Sequence, residues 1–191
     1  SDVPEKDLPM VGLLQAVLGI IDTEHYEYGE LFNEINRHTG GIGTSLELYT
    51  DVTKVKEKEF RATFEIKGKA FHAHLKDAME LTAEMLVRSN YTDTKRLYEI
   101  LTELKSRLQS SMISAGHTIA AGRAMSYTSE TAAIQEILSG MDFYRLVDRL
   151  CTNWDEEKEK LPEILKRLSE CMFRPENLMF DFTAEEEDQE K

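Results

Sequence analysis

The stretch from Tyr28 to Thr50 constrains the fold more than any other part of the chain, because its periodicity changes at a pair of glycines. Before Gly40-Gly41, apolar residues recur at helical spacing, which predicts an amphipathic helix over residues 28–39. The glycines supply a stop, since glycine adopts a positive φ at little cost. After them, apolar and polar residues alternate over residues 42–50, which predicts a strand with one covered face. The predicted buried side of the helix consists of Leu31, Phe32 and Ile35.

A second alternating stretch predicts another strand over residues 60–67. Because only the polar stretch 51–59 separates the two strands, they are expected to pair antiparallel. A third alternating stretch predicts a strand over residues 178–183, after the break at Arg174-Pro175. Helical patterns cover residues 7–21, 70–88, 93–122, 129–138, 141–152 and 155–172. This order predicts an α+β fold, in which a small antiparallel sheet of about three strands packs against several helices.

The helical patterns also predict what is buried. The first helix, with Asp7 as its N-cap, carries a wide apolar face and is expected to be mostly buried. Residues 115–122 are rich in small side chains, which favour close approach and predict deep burial. His117 lies among them and is interpreted as a buried histidine that bonds to backbone or serine. The methionines are interpreted as core filling rather than as a cofactor site, and they include Met79, Met85, Met112 and Met125.

Composition excludes several classes of function. The net charge of −13 repels phosphate backbones, so no nucleic-acid partner is expected. The longest apolar run, residues 11–21, is interrupted by polar residues and glycines and is too short for a membrane span. Cys151 and Cys171 lie outside any metal-binding spacing and are interpreted as buried, reduced thiols. With no visible leader, these features predict a cytoplasmic location. Residues 185–191 are predicted to form an acidic tail.

Four groups of side chains are candidates for sites, and none has the spacing of a defined ligand set or catalytic group. His25 is interpreted as loop polarity. Glu34 and His38, at positions i and i+4, are interpreted as an ionic contact, and His72 and His74 would point apart on a helix. Arg123 and Tyr127 suit oxyanion stabilisation chemically, but no such role is assigned to them. The sequence therefore predicts no catalytic residue, metal ligand or cofactor in this chain.

Three blocks carry a resemblance to a known family. They are LPMVGLLQAVLGIIDTEHYEYGELFNEINRHTGGIGTSLELYT, SAGHTIAAGRAMSYTSETAAIQEILSGMDFYRLVDRL and FRPENLMFDFTAEEE, and together they span nearly the whole chain. In these blocks the chain resembles the pitrilysin/insulinase-type zinc metallopeptidases, in the branch that contains presequence protease and falcilysin. The resemblance is to the third of four homologous domains, which is the first domain of the C-terminal half.

The resemblance implies a role without catalysis. Members of this family enclose a substrate chamber between two halves, and their zinc is held by an HxxEH helix in the first domain. The matching helix here is PMVGLLQAVLG, and no HxxEH or HExxH occurs in the chain. The resemblance therefore implies a structural domain that forms part of the chamber. Zinc and peptide hydrolysis would belong to another domain of the parent polypeptide, and this chain alone would be inactive.

The beginning of the chain also departs from the family pattern. Only SDVPEK precedes the first helix, where the family has strands. We therefore expect residues 1–184 to form a single domain that lacks its opening strands. An uncovered sheet edge would allow self-association, and the edge at residues 42–50 would allow backbone pairing with a peptide, although a purely structural strand is the simpler interpretation. The alternative function is thus a free-standing module that binds peptides or assembles with itself.

Overall fold

A computed structural model describes residues 3–50 and 60–184, and its fold is α+β as predicted. The predicted polar turn 51–59 and acidic tail 185–191 lie outside the described residues. Short 3₁₀ turns cover Glu5–Asp7, His72–His74 and Pro175–Asn177. The elements are α1 (Leu8–Val17), α2 (Tyr28–His38), β1 (Ile42–Thr50), β2 (Phe60–Gly68), α3 (Leu75–Val87), α4 (Thr94–Ser114), α5 (Gly116–Met125), α6 (Glu130–Ser139), α7 (Met141–Thr152), α8 (Trp154–Glu157) and α9 (Lys160–Met172).

The hairpin forms as its alternation predicts. β1 and β2 pair antiparallel, with Leu46 opposite Phe64 and Thr50 opposite Phe60. Gly41 has a φ of 110°, a conformation that strongly favours glycine at the turn from α2 into β1. The Phe64 ring meets the Phe173 ring edge-on, with 5.1 Å between centroids, and this contact anchors the hairpin to the helical core.

The predicted third strand is wrong. Within the described part of the chain the sheet has two strands, and residues 178–184 do not pair with either of them. Leu178, Met179 and Phe180 are 71%, 70% and 63% exposed. An alternating pattern indicates two unlike faces, but a strand also needs a neighbour that supplies its ladder of hydrogen bonds. The described residues provide no such neighbour for this segment.

The main core lies between α1, α4, α7 and α9. The predicted burial of the first helix is confirmed, since α1 buries most of its residues. The most deeply buried side chains of this core are Leu13, Leu14, Val17, Leu97, Leu101, Val147, Leu150, Leu161, Leu165 and Leu168. Burying each such leucine contributes about 1.5–3 kcal/mol, so this four-helix contact is the principal source of stability.

Asp7 stands at the start of α1 but does not cap it through its side chain. Its backbone is already helical, with φ −96° and ψ −5°, whereas a capping residue is extended. The Asp7 carboxylate instead accepts a hydrogen bond of 2.7 Å from Arg167 Nη2 of α9. The expected capping role is therefore replaced by an ion pair between two helices of the core.

A smaller core joins α2 to α3 through Leu31, Ile35, Leu81 and Met85. Several predicted inward residues are exposed instead: Phe32 by 61%, Phe71 by 84%, Met79 by 48% and Met125 by 58%. Met112 is half-buried, so core filling holds best for Met85. The errors around α3 have a local cause, because α3 begins only at Leu75, after a 3₁₀ turn that changes the facing of the preceding residues.

The predicted deep burial of residues 115–122 is also wrong. A break at Ala115 separates α4 from α5, and α5 has no buried residue. His117, expected to be buried, is exposed. Small side chains allow close approach, but they also supply little apolar area to drive it. The predicted helix over residues 155–172 is likewise divided, into α8 and α9.

Candidate functional site

The position that holds zinc ligands in the resembling catalytic domain corresponds here to α1, and it is filled by packing. Gly12 lies so close to α6 that a Cβ atom in its place would sit 2.2 Å from the Leu138 carbonyl oxygen. The Gln15 amide, the polar side chain of this helix, donates a 3.1 Å hydrogen bond to the Thr44 carbonyl of β1. The helix therefore uses its side chains to hold its neighbours.

The clearest concentration of chemistry lies at the two ends of the α2–α3 pair. At the end nearer the start of α2, the Glu84 carboxylate of α3 is buried, with 3% of its side chain exposed. Arg88 Nη1 donates to it at 2.9 Å, the His25 backbone N–H donates at 3.0 Å, and His25 Nδ1 lies 3.1 Å from Oε2. His25, interpreted from sequence as loop polarity, thus fastens its loop to α3.

These contacts fix the ionisation of Glu84. Burial alone raises the pKa of a carboxyl group, but hydrogen bonds from Arg88, His25 and Thr23 outweigh it here. They lower the pKa of Glu84 from its ordinary value of 4.5 to about 2. The group is an anion with its partners in place, and this arrangement is structural in character.

At the other end of the pair, three side chains from two separate parts of the sequence converge. His38 Nδ1, in the last turn of α2, lies 3.3 Å from His74 Nδ1 and 3.4 Å from Asp77 Oδ2. His74 Nδ1 lies 2.9 Å from the same Asp77 oxygen. The three side chains are 26%, 41% and 40% exposed, so solvent reaches them. Two imidazoles and one carboxylate form a recognised set of metal-ligating groups.

A second carboxylate orients the first imidazole of this cluster. Glu34 Oε2 lies 3.2 Å from His38 Nε2, and its other oxygen accepts a 2.7 Å contact from Arg37 Nη1. His38 therefore presents Nδ1 to the cluster while Nε2 points to Glu34. Hydrogen bonding from His74, opposed by partial burial and assisted by the field of His38, lowers the pKa of Asp77, which keeps it a carboxylate.

Sequence reasoning named Glu34, His38 and His74 but did not bring them together. It compared residues within one element, whereas the cluster joins the end of α2 to the start of α3 across 36 positions of chain. Asp77 was not singled out at all. The local signal was a histidine at the end of one helix and a His-x-x-Asp spacing at the start of another, and neither specifies a partner.

Arg123 is held by two carboxylates. Its Nη1 lies 3.0 Å from Glu136 Oε1 and 2.7 Å from Asp142 Oδ2, and both contacts raise the pKa of the guanidinium. Glu136 is buried and also accepts the Met141 backbone N–H at the start of α7. Tyr127 is 77% exposed, and its ring centroid lies 5.6 Å from the Arg123 carbon. This network ties α5 to α6 and α7.

The remaining candidates are less organised. Cys151 and Cys171 are free thiols as predicted, but both are half-buried rather than buried. Burial raises the pKa of the Cys151 thiol, which makes it a weaker nucleophile. A polar pocket of about 340 Å³ lies along α2, lined by His25, Tyr26, Glu30, Asn33, Glu34 and Arg37. Among the described residues, no helix combines the length and apolar character needed to cross a membrane.

Comparison with known proteins places this geometry in a family. The family model for the peptidase-associated domain of metallopeptidase family sixteen, subgroup C, matches residues 1–150, more than half of the chain. The chain belongs to this peptidase-associated family. The predicted resemblance to presequence protease-like members of the insulinase-type peptidases is thereby confirmed.

Relatives of this peptidase-associated chain are much longer than it is. Protein HypA of Clostridium perfringens (strain 13 / Type A) is 33% identical over 190 residues, which cover 100% of this chain. The mitochondrial presequence protease of Saccharomyces cerevisiae is 25% identical over 193 residues, covering 99% of it. Presequence protease 1 of Arabidopsis thaliana, described as chloroplastic/mitochondrial, is 22% identical over 179 residues, covering 93%. The chain spans 19%, 19% and 16% of these relatives, which is consistent with a domain inside a larger polypeptide.

Proposed function

We propose that this chain is a non-catalytic domain of a longer insulinase-type metallopeptidase, where it forms part of the wall of the substrate chamber. In this proposal it is the third of four related domains, and its partners are the other domains of the same polypeptide. Zinc-bound water and a glutamate base in another domain would hydrolyse unstructured peptides. The predicted cytoplasmic location stays a prediction.

The observation that carries the proposal is the packing of α1. A helix that binds a catalytic metal has to present its ligands to an open cleft, with a free position for water and substrate. Here Leu13 and Leu14 are fully buried, and the backbone at Gly12 is in close contact with Leu138 of α6. Introducing two histidines and a glutamate at these positions would break the main core.

Exposed apolar side chains support a role beside further domains. Ile113 at the end of α4 is 87% exposed, and Tyr127 after α5 is 77% exposed. Leu178, Met179 and Phe180 extend this pattern into the C-terminal segment. Apolar groups in such number favour burial against other protein surfaces. Flanking domains of the same polypeptide are suitable partners.

The test compares the 191-residue chain with the longer polypeptide from which it comes. We expect the chain alone to leave unstructured peptides intact, with or without added zinc, and the longer polypeptide to cleave them until a chelator is added. Cleavage by the chain alone that a chelator abolishes would overturn the proposal. So would a reading frame without an HxxEH domain upstream and a related domain downstream.

A free-standing interaction module is the second candidate, and the open hairpin favours it. Within the described residues, β1 and β2 pair only with each other, so each has one edge available for backbone pairing. Titration calorimetry with extended peptides and sedimentation of the chain would detect such pairing. Under the first proposal, self-association should disappear once the flanking domains are present.

A further inference from the structure

The cluster at the junction of α2 and α3 has more than the composition of a metal site, because its spacing is also correct. In tetrahedral zinc sites with bonds of about 2.0–2.1 Å, neighbouring ligand atoms lie roughly 3.3–3.4 Å apart. The three donor atoms of His38, His74 and Asp77 are separated by 3.3, 3.4 and 2.9 Å. A point about 2.05 Å from all three atoms lies roughly 0.9 Å outside their plane, and an ideal tetrahedral metal lies roughly 0.7 Å outside it.

The proton inventory of the cluster also suits a metal. Because Glu34 lies against His38 Nε2, the proton of a neutral His38 belongs on that nitrogen, and Nδ1 keeps its lone pair. Asp77 is a carboxylate and only accepts. In the absence of metal, the contact between these groups therefore depends on a proton at His74 Nδ1. A metal ion replaces that proton, which moves to His74 Nε2 or to solvent, and satisfies all three donor atoms together.

We propose that His38 Nδ1, His74 Nδ1 and Asp77 Oδ2 bind one Zn²⁺ ion, with solvent completing its coordination. The two imidazoles select zinc over Mg²⁺ and Ca²⁺, which prefer oxygen ligands. Glu34 is a positioning residue that holds the His38 ring through Nε2, as carboxylates commonly do for zinc-bound histidines. This inference replaces the sequence-based expectation that the chain has no metal ligand.

The position of the site indicates what the ion does. His38 ends α2, while His74 and Asp77 flank the first residue of α3, so the ion joins two helices that otherwise meet through the small core of Leu31 and Leu81. The C-terminal end of α2 carries a partial negative charge that favours a cation. The site is separate from peptide hydrolysis, and it neither requires nor excludes the proposed chamber role.

The test measures zinc binding by the 191-residue chain in competition with a chelator of known affinity. We expect one equivalent, with a dissociation constant tighter than about 100 µM. His38→Gln and Asp77→Asn should each weaken binding on the order of 100-fold, and Glu34→Gln about 10-fold. His117→Gln, in an exposed histidine of α5, is the matched control and should leave binding unchanged. Unfolding curves with chelator present should be similar for all four variants and the wild type.

A second measurement does not depend on variants. The chain loaded with Cu²⁺ should give an electron paramagnetic resonance spectrum with hyperfine coupling to two imidazole nitrogens. The proposal is overturned by wild-type chain that binds no zinc at about 100 µM, by binding that persists in both ligand variants, or by a spectrum without imidazole coupling. Zinc bound without any peptide cleavage supports this site and leaves the proposed function intact, so the two proposals fail separately.

Discussion

The two ends of the α2–α3 pair contain the same residue types in opposite arrangements. At one end, Glu84 is buried and bound to Arg88 and to His25, so its charge is balanced by a permanent cation. At the other, His38, His74 and Asp77 are partly exposed, and no lysine or arginine forms an ion pair with them in the described part of the chain. A carboxylate beside arginine stabilises the fold, whereas a carboxylate beside two imidazoles leaves room for an exchangeable cation.

Acid should distinguish the two ends most strongly. The folded pKa of Glu84, about 2, lies below its ordinary value of 4.5, so the unfolded chain binds a proton first as the pH falls. The group therefore stabilises the fold above pH 4.5, and this stabilisation, on the order of 2–3 kcal/mol, is lost between pH 4.5 and about 2. Denaturant unfolding of wild type and Glu84→Gln across this range should give free energies of unfolding that differ at neutral pH and converge in acid. A constant difference would contradict the depressed pKa of Glu84.

Removing the permanent cation comes next in size. Arg88→Met leaves the Glu84 carboxylate buried without its guanidinium partner, and a buried charge that loses its partner is costly. We expect the thermal midpoint to fall by about 5 °C. Arg145→Met is the matched control, because Arg145 is 63% exposed and its ion pair with Asp142 lies at the surface. Equal losses in the two variants would mean that Glu84 gains nothing from Arg88.

The open end can be closed by giving it a permanent cation of its own. In His74→Arg, a guanidinium near Asp77 would repeat the arrangement around Glu84 and occupy the space of the ion. We expect zinc affinity to fall on the order of 100-fold while the thermal midpoint in chelator changes by less than about 2 °C. His117→Arg adds the same charge in α5 and should affect neither quantity. Retained zinc binding in His74→Arg would place the metal elsewhere.

The contrast between the ends also explains what could be read from the sequence. The β1–β2 hairpin and the bounds of α7 follow from periodicity within short stretches, and the structure confirms them. The strand over residues 178–183 and the burial of α5 failed because each depends on a neighbour that a local pattern does not specify. The pairing of His38 with His74 was missed for the same reason. Periodicity tells which face a residue occupies, but only tertiary packing decides which face it meets.

The smallest expected effect is the most direct check on the comparison, because it makes the same chemical change at both ends of one helix. Asp77→Asn removes a carboxylate from the first turn of α3, and Glu84→Gln removes one from the last turn. Asp77 is 40% exposed and its partners are neutral or only partly charged imidazoles, so in chelator its replacement should lower the thermal midpoint by less than about 2 °C. Glu84→Gln should lower it further at neutral pH, because a buried anion with a guanidinium partner contributes more.

Zinc should then separate the two variants in the opposite sense. Wild type and Glu84→Gln should both gain stability when zinc is added, whereas Asp77→Asn should not, since only a protein that binds the ion is stabilised by it. Thermal unfolding of the three proteins in chelator and in zinc measures both effects in one series. If Asp77→Asn costs as much as Glu84→Gln in chelator, the open end is a structural ion cluster like the closed one, and the difference between them disappears.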